Sequence, residues 1–374
     1  MNTKTADVVI IGGGIQGVAT AWNLALAGVS CVVLEKDYIG RHASGVNAGG
    51  VRRLGRDLEE LPLSVRAAEI WPMLDQLLSS DTGFHASRQI KVAESEQDLK
   101  TLEARRQLLL SQGYDHEKMI DQQQLRELLP AVSHHCLGAL TVEGDGSAIP
   151  FKTTTAFARA AKRQGVSIYE SVEVESITRS ADSWLVSAGS QSFSCHTLVN
   201  CAGAWGDKIA AMVGDKIPLE PAALMLMISQ RLPKFMEGVV GSASRALSFK
   251  QFSNGTVLIG GAHRGRVDRD HNRATTRIEG LAENAAIACD LFPVMKNARL
   301  VRSWAGIEGM MPDRLPVIGH GSADNVIHCF GFSDHGFQLG PAVGELVAAL
   351  VLKQDYAITN EAFRPQRFDR ALAV

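Results

Sequence analysis

The chain has 374 residues, 45% apolar and 21% charged, with a formal charge of −2. That is the range of a soluble globular protein long enough for two domains, and it gives no cationic footprint for nucleic acid. No apolar run reaches the ~18 residues of a membrane span. No signal peptide is expected, because a strand-like run already begins at Val8. Six scattered cysteines with no Cys-x-x-Cys pair predict a reducing, cytoplasmic setting with neither disulfides nor a metal site.

Val8–Ile11 read as a buried parallel strand. Gly12, Gly14 and Gly17 follow as G-x-G-x-x-G. Gly12 permits a tight turn, Gly14 lets a pyrophosphate approach the backbone, and Gly17 lets the next helix pack closely on the strand. The amides and dipole of that helix, which opens at Ile15 and Gln16, face the phosphates. Ala19–Ala27 are helix formers and Gly28 ends the helix. Val32–Leu34 make a second strand, closed by Glu35 and then Lys36, with Glu35 23 residues after Gly12. The Glu35 carboxylate suits two ribose hydroxyls and repels a 2′-phosphate, which disfavours NADP. Strand, glycine turn, helix, strand and acid together predict a dinucleotide site, without choosing between FAD and NAD.

The next loop, GRHASGVNAGGVRRLGR (Gly40–Arg56), is rich in small residues and can lie along a flat ring system. Its basic end, VRRLGRD, reads as a solvated face. KTLEARRQLLLSQGY and DQQQLRELLPAV have helical apolar spacing, with Asp121 as an N-cap. Val172, Val174 and Ile177 suggest short alternating strands. Leu198–Asn200 form another strand, and Ala202-Gly203-Ala204 a tight turn into a helix. ALMLMI, RALSFKQF and TVLIGGAH read as strands, with Asn254-Gly255 a hairpin turn between the last two. Val326–Cys329 then leads through Gly331, Gly336 and Gly340 into a C-terminal helix.

In order and spacing, the N-terminal fingerprint, the small-residue loop, LVNCAGAWGD, WAGIEGMMPDRLPVIG and GFSDHGFQLGPAVGE resemble the D-amino-acid oxidase superfamily, on its glycine and sarcosine oxidase side. The last segment is similar to β subunits of hydroxyproline dehydrogenases and opine oxidases. The resemblance spans Val8–Leu352. It implies an α/β fold with a Rossmann-like FAD-binding domain and a mainly antiparallel α+β substrate domain. The first is assigned to 1–84, 144–216 and 310–374, the second to 85–143 and 217–309, with the active site where they meet. Non-covalent FAD is implied too. Relatives with a covalent flavin use a cysteine in the W-A-G region or a histidine before the middle FAD piece, where this chain has Gly306 and GDGSAIPF.

Carried over by position, Gly12, Gly14 and Gly17 line the pyrophosphate with Ile15 and Gln16, and Glu35 holds the adenosine ribose with Lys36 beside it. Val174 meets the adenine side through its backbone. Ser44, Asn47, Ala48 and Gly49 lie by the flavin, Ala202 and Gly203 belong to the middle cofactor turn, and Gly336, Phe337 and Gln338 approach the flavin's pyrimidine edge. The C-terminal helix dipole there would favour negative charge on a reduced flavin.

The implied chemistry is oxidation of a C–H bond next to an amine, with hydride passing to flavin N5 and an imine left for water to hydrolyse. The substrate would be an amino acid or secondary amine: an opine, an imino acid or an N-substituted amino acid. Carboxylates in this family commonly meet arginine, but the glycine-oxidase-like positions hold Glu308 and, roughly, Asp334 here. Arg52, leaving the flavin loop, is therefore the expected anchor, with His335 and Lys250 as further candidates and Arg53 and Arg302 as other nearby cations. Glu308 and Asp334 either bind a cationic group or pair with Arg302 or Arg314. The lysine that serves oxygen in sarcosine-oxidase-like relatives maps to Leu258, within one residue, which favours a dehydrogenase over an oxidase. The implied electron acceptor is a quinone, a partner subunit carrying an iron–sulfur cluster or a second flavin, or oxygen. Two alternatives are a 2-hydroxy acid dehydrogenase with His335 as base, and a flavoprotein subunit active only with its partners.

Overall fold

In the computed structural model, which describes residues 3–369, two large sheets organise the chain. In the first, Thr3–Ile11 runs parallel to Cys31–Leu34 on one side and to Gln191–Asn200 on the other. Val8, Val9, Ile10 and Ile11 are all buried, as in a parallel strand covered on both faces. The helix Ile15–Leu26 makes the crossover, and Gly28 ends it at φ +81°. The sheet runs in the order Val317–His320, Val326–Phe330, Gln191–Asn200, Thr3–Ile11, Cys31–Leu34, Ser167–Tyr169. The hairpin strands Ser176–Ser180 and Ser183–Ala188 join antiparallel beside Gln191–Asn200. Ile177 lies in this hairpin, whereas Val172 and Val174 precede it outside any strand, a correction to their expected alternation. Their irregular backbone is held at one point by Val172 N–H donating to Glu35 O.

The second sheet runs Leu300–Met310, Glu220–Ser229, Val257–Arg264, Ser248–Gln251, Val239–Ser242, His85–Ala93, Gly138–Ser147, Gly50–Val51, with Lys118–Asp121 also on Gly138–Ser147. Every pairing in it is antiparallel except His85–Ala93 with Val239–Ser242. The expected hairpin stands between Ser248–Gln251 and Val257–Arg264, with Gly255 at φ +88°. The expected helices are Glu96–Ser111 and Gln122–Leu128. Asp121 caps the second in a reciprocal capping box with Gln124.

The C-terminal helix Gly336–Leu352 packs along Ile15–Leu26. Cβ atoms added at Gly340 and Gly344 would stand 2.8 Å from Ile15 and Ala19, so the two helices touch backbone to side chain. Their N-terminal ends are tied by Gln16 Nε2 donating to Gly336 O at 2.8 Å. The expected cofactor segments from the two ends of the chain thus converge on one cavity.

Candidate active site

That cavity, of about 730 Å³, is lined from the glycine turn to the loop around Arg56 and to the start of the C-terminal helix. At the glycine end, Gly17 sits so close to the turn that an added Cβ would lie 2.1 Å from Gly12 O. Ile15 N–H donates to Ser44 Oγ at 2.9 Å, while the N–H groups of Gly14, Gln16 and Gly17 have no protein acceptor among the described residues. Free amides at a helix N-terminus suit phosphate oxygens. Glu35 accepts from Gly13 N–H at 2.7 Å and Asp37 N–H at 2.9 Å, one bond per oxygen. A carboxylate has further lone pairs for a ribose. Burial pushes its pKa up, against those two bonds. Val174 lines the cavity and its N–H and C=O have no protein partner among the described residues, a free edge of the kind an adenine uses. Lys36 Nζ stands 3.1 Å from the Trp205 ring centre. Ala202 and Gly203 complete this wall, with Gly203 at φ +56°. The donor set and the glycine cradle fit the adenosine and pyrophosphate of FAD.

Four expected positions also have local partners. Ser44 lines the cavity at the mouth of the first helix, where its hydroxyl accepts from Ile15 N–H. The Asn47 amide shapes its own loop, donating to Ala43 O and accepting from Gly49 N–H, both at 2.7 Å. Gln338 lines the cavity and is held by Ser64: its Nε2 donates to Ser64 O and its Oε1 accepts from Ser64 Oγ. Phe337 packs on Trp71 at 5.3 Å in the core. Both line the cavity with Gly336 at the start of the C-terminal helix. Ala48 and Gly49 line the cavity directly.

Lys250 lies behind Gly49. A Cβ added at Gly49 would be 3.2 Å from its Nζ, and the side chain is 4% exposed with no salt bridge among the described residues. Burial lowers its pKa to about 7. An amine that gains and loses its proton near pH 7 thus stands beside the flavin loop, on the strand before the one that carries Leu258.

The far end is built from charges. Asp145 accepts from the N–H groups of Arg53 and Leu54, and Glu117 from that of Gly55. Asp145 also pairs with Arg53 and Glu117 with Arg105, both at 2.8 Å. These two buried carboxylates hold the loop backbone and leave Arg52 and Arg56 on the cavity wall. VRRLGRD is therefore not a solvated face. Arg56 is 2% exposed, and Arg53 turns to Asp145 instead of the cavity. Arg52 Nη1 donates to Leu54 O at 2.5 Å and forms no salt bridge among the described residues. Arg302 is exposed and outside the cavity.

On the opposite wall, Glu308 Oε1 accepts from Asp334 N–H at 2.7 Å. Burial and then the Asp334 charge raise its pKa to about 8. Asp334 pairs with Arg314 at 3.0 Å, so of the two acids only Asp334 forms the expected ion pair among the described residues. Ser333 and Asp334 both have positive φ, +49° and +68°, a strained pair at the cavity edge. His335 bridges two acids, Nδ1 to Glu60 Oε2 at 2.7 Å and Nε2 to Asp334 Oδ1 at 3.2 Å. Each contact needs one proton. Burial, with Arg56 and Arg52 nearby, lowers the histidine's pKa, and burial raises that of Glu60. Both shifts favour the uncharged forms of the two groups, and Nδ1 is hydrogen-bonded to Glu60 while Nε2 lies within ion-pair distance of Asp334. Glu60, Arg56 and Lys91 were missed as site residues. A lone lysine between Ile90 and Val92 in a strand was the available signal for Lys91.

The sequence profile of the DAO family, described as FAD dependent oxidoreductase, matches residues 7–350. The chain is 27% identical over 376 residues to the β subunit of sarcosine oxidase from Rhizobium meliloti, covering 98% of this chain and 89% of the relative. It is 24% identical to an opine oxidase subunit of the same species, covering 97% and 98%. Among solved structures, L-proline dehydrogenase from P. horikoshii superposes with a TM-score of 0.92 at 28% identity, covering 99% of each chain. With its glycine cradle, free helix amides and two-sheet architecture matched over nearly its whole length, the chain belongs to the FAD-dependent oxidoreductase family of D-amino-acid oxidase type.

Proposed function

We propose that this enzyme oxidises an amino acid or secondary amine, such as an imino acid, an opine or another N-substituted amino acid, at the C–H bond next to nitrogen. FAD, when bound, supplies the hydride acceptor, and the resulting imine is hydrolysed by water. The observation that carries this is Arg52, a guanidinium on the cavity wall with no carboxylate of its own, facing a cavity that also holds Glu308. Arg52 holds the substrate carboxylate by charge-assisted bonds. Glu308, whose Oε1 is fixed by Asp334 N–H, offers Oε2 to the substrate nitrogen. The division of the chain at residues 84, 143, 216 and 309 belongs to the same proposal, with Gly50–Val51 the one piece of the first segment that pairs in the second sheet. Oxidation of a 2-hydroxy acid is the less favoured reading, because His335, the candidate base, has Nδ1 bonded to Glu60 and Nε2 only 3.2 Å from Asp334 Oδ1, which crowds its approach to a hydroxyl.

The test is anaerobic bleaching of the yellow protein by a panel of amino acids, imino acids, opines and hydroxy acids. Bleaching by hydroxy acids alone would overturn the proposal. Acid or heat should release FAD, and flavin retained on the denatured chain would refute non-covalent binding. A second reading is supported by relatives named as subunits, those of sarcosine oxidase, opine oxidase and hydrogen cyanide synthase. In it the chain passes electrons to a partner protein or quinone in preference to oxygen. Stopped-flow reoxidation by air against a quinone decides this, and faster reoxidation by air means an oxidase.

A further inference from the structure

The wall formed by the loop Arg52–Arg56 and its neighbouring strand carries more positive charge than one carboxylate uses. Lys91 projects from His85–Ala93 into the cavity. A Cβ added to Gly55 would stand 3.5 Å from Arg52 Nη1 and 3.6 Å from Lys91 Nζ, so both cationic tips lie over one backbone position. Arg56 lines the same wall, and its Nη1 is buried with no hydrogen-bond acceptor. Three neighbouring acids are committed elsewhere, Asp145 to Arg53, Glu117 to Arg105 and Asp334 to Arg314, and Glu60 is shared between His335 and Arg56. Glu60 Oε2 reaches only to 4.0 Å from Arg56. Arg52 and Lys91 have no ion-pair partner among the described residues, buried cations without counter-ions are strongly unfavourable, and a ligand that supplies the matching anions relieves the cost. The dinucleotide phosphates do not, because the free amides that suit them are on the first helix.

We propose that Arg52, Arg56 and Lys91 form a subsite for two anionic groups, so that the substrate is a dicarboxylic amino compound: an N-carboxyalkyl amino acid or an amino dicarboxylic acid. The amino part rests on the function proposed above, and the dianion part does not. Lys91 is the specificity-determining residue. It answers the second carboxylate while Arg52 holds the first.

The test uses the FAD-loaded protein and two unreactive probes, glutarate and butyrate, which differ by one carboxylate. Binding is read from the shift in the flavin absorption spectrum. Glutarate should bind about 10- to 100-fold more tightly than butyrate, the scale of a charge-assisted contact. Lys91→Met should bring the two within about 3-fold by weakening glutarate alone, and Lys91→Arg should keep most of the preference. Flavin content verifies that each variant is folded. Equal binding of the two acids by the wild type overturns the subsite. So does failure of both to bind, or a Lys91→Met protein that keeps the preference. If no amine bleaches the flavin while the glutarate preference persists, amine oxidation falls and the subsite stands. If monocarboxylic amines bleach it as well as their dicarboxylic counterparts, the subsite alone falls.

Discussion

The two ends of the cavity are built by opposite means. The glycine end takes its phosphate cradle and its acid from one continuous stretch, Val8 to Glu35, and offers mainly backbone amides and one carboxylate. The far end joins segments as distant as Glu60 and His335, 275 residues apart, and offers charged side chains held by buried acids. Recognition by backbone needs close approach, so it is sensitive to a single methyl group. Recognition by buried charge needs desolvation and pairing, so it displaces pKa values and selects ligands by sign and number of charges.

Gly17→Ala should break the first end most completely. The new Cβ would meet Gly12 O at 2.1 Å, so the turn must open. The variant should be isolated without flavin, as read from its absorbance. A fully yellow variant would show that close helix entry is not what shapes the phosphate cradle.

Lys250→Met tests whether an unpaired charge beside the flavin loop is retained at a cost. The folded pKa of about 7 lies below the ~10.4 of an exposed lysine. Between those values the unfolded chain binds the extra proton, so this penalty is full below about pH 7 and fades as pH rises toward ~10. Urea unfolding of the apoprotein should show the variant more stable by about 2–4 kcal/mol at the acid side of that window, and nearly equal to wild type at its alkaline side. The variant should also be reoxidised more slowly by air. A pH-independent gain would mean that the amine is not the cause.

Arg52→Ala should lower kcat/KM by about 10- to 150-fold, mainly through KM, with FAD occupancy retained. Normal kinetics with poor FAD retention would move Arg52 from the charged end of the comparison to the cofactor. Glu35→Ala should have the smallest effect, weakening FAD binding by about 1–3 kcal/mol in a titration of the apoprotein. Unchanged affinity would mean that Glu35 serves only Gly13 and Asp37, whose N–H groups it already holds.

The sequence by itself determined whatever depends on spacing over a few residues. The glycine turn and its two strands, the Asp121 cap, the Asn254-Gly255 hairpin and the entry to the C-terminal helix all stand where the pattern predicts. Only the tertiary structure decided which charges are buried. VRRLGRD looks solvated until Asp145 and Glu117, 92 and 62 residues away from the N–H groups they accept, grip the loop from below. Ser44 and Asn47 belong to the small-residue loop in either view, and only the structure shows that they also accept bonds from the chain's own amides. The family resemblance maps a lysine to Leu258, and the structure instead brings one in from the adjacent strand, because antiparallel pairing sets Lys250 directly opposite Leu258. Local pattern fixes conformation because steric and hydrogen-bonding preferences act between near neighbours. The burial of a charge depends on what distant segments bring to it, and no short window of sequence contains that.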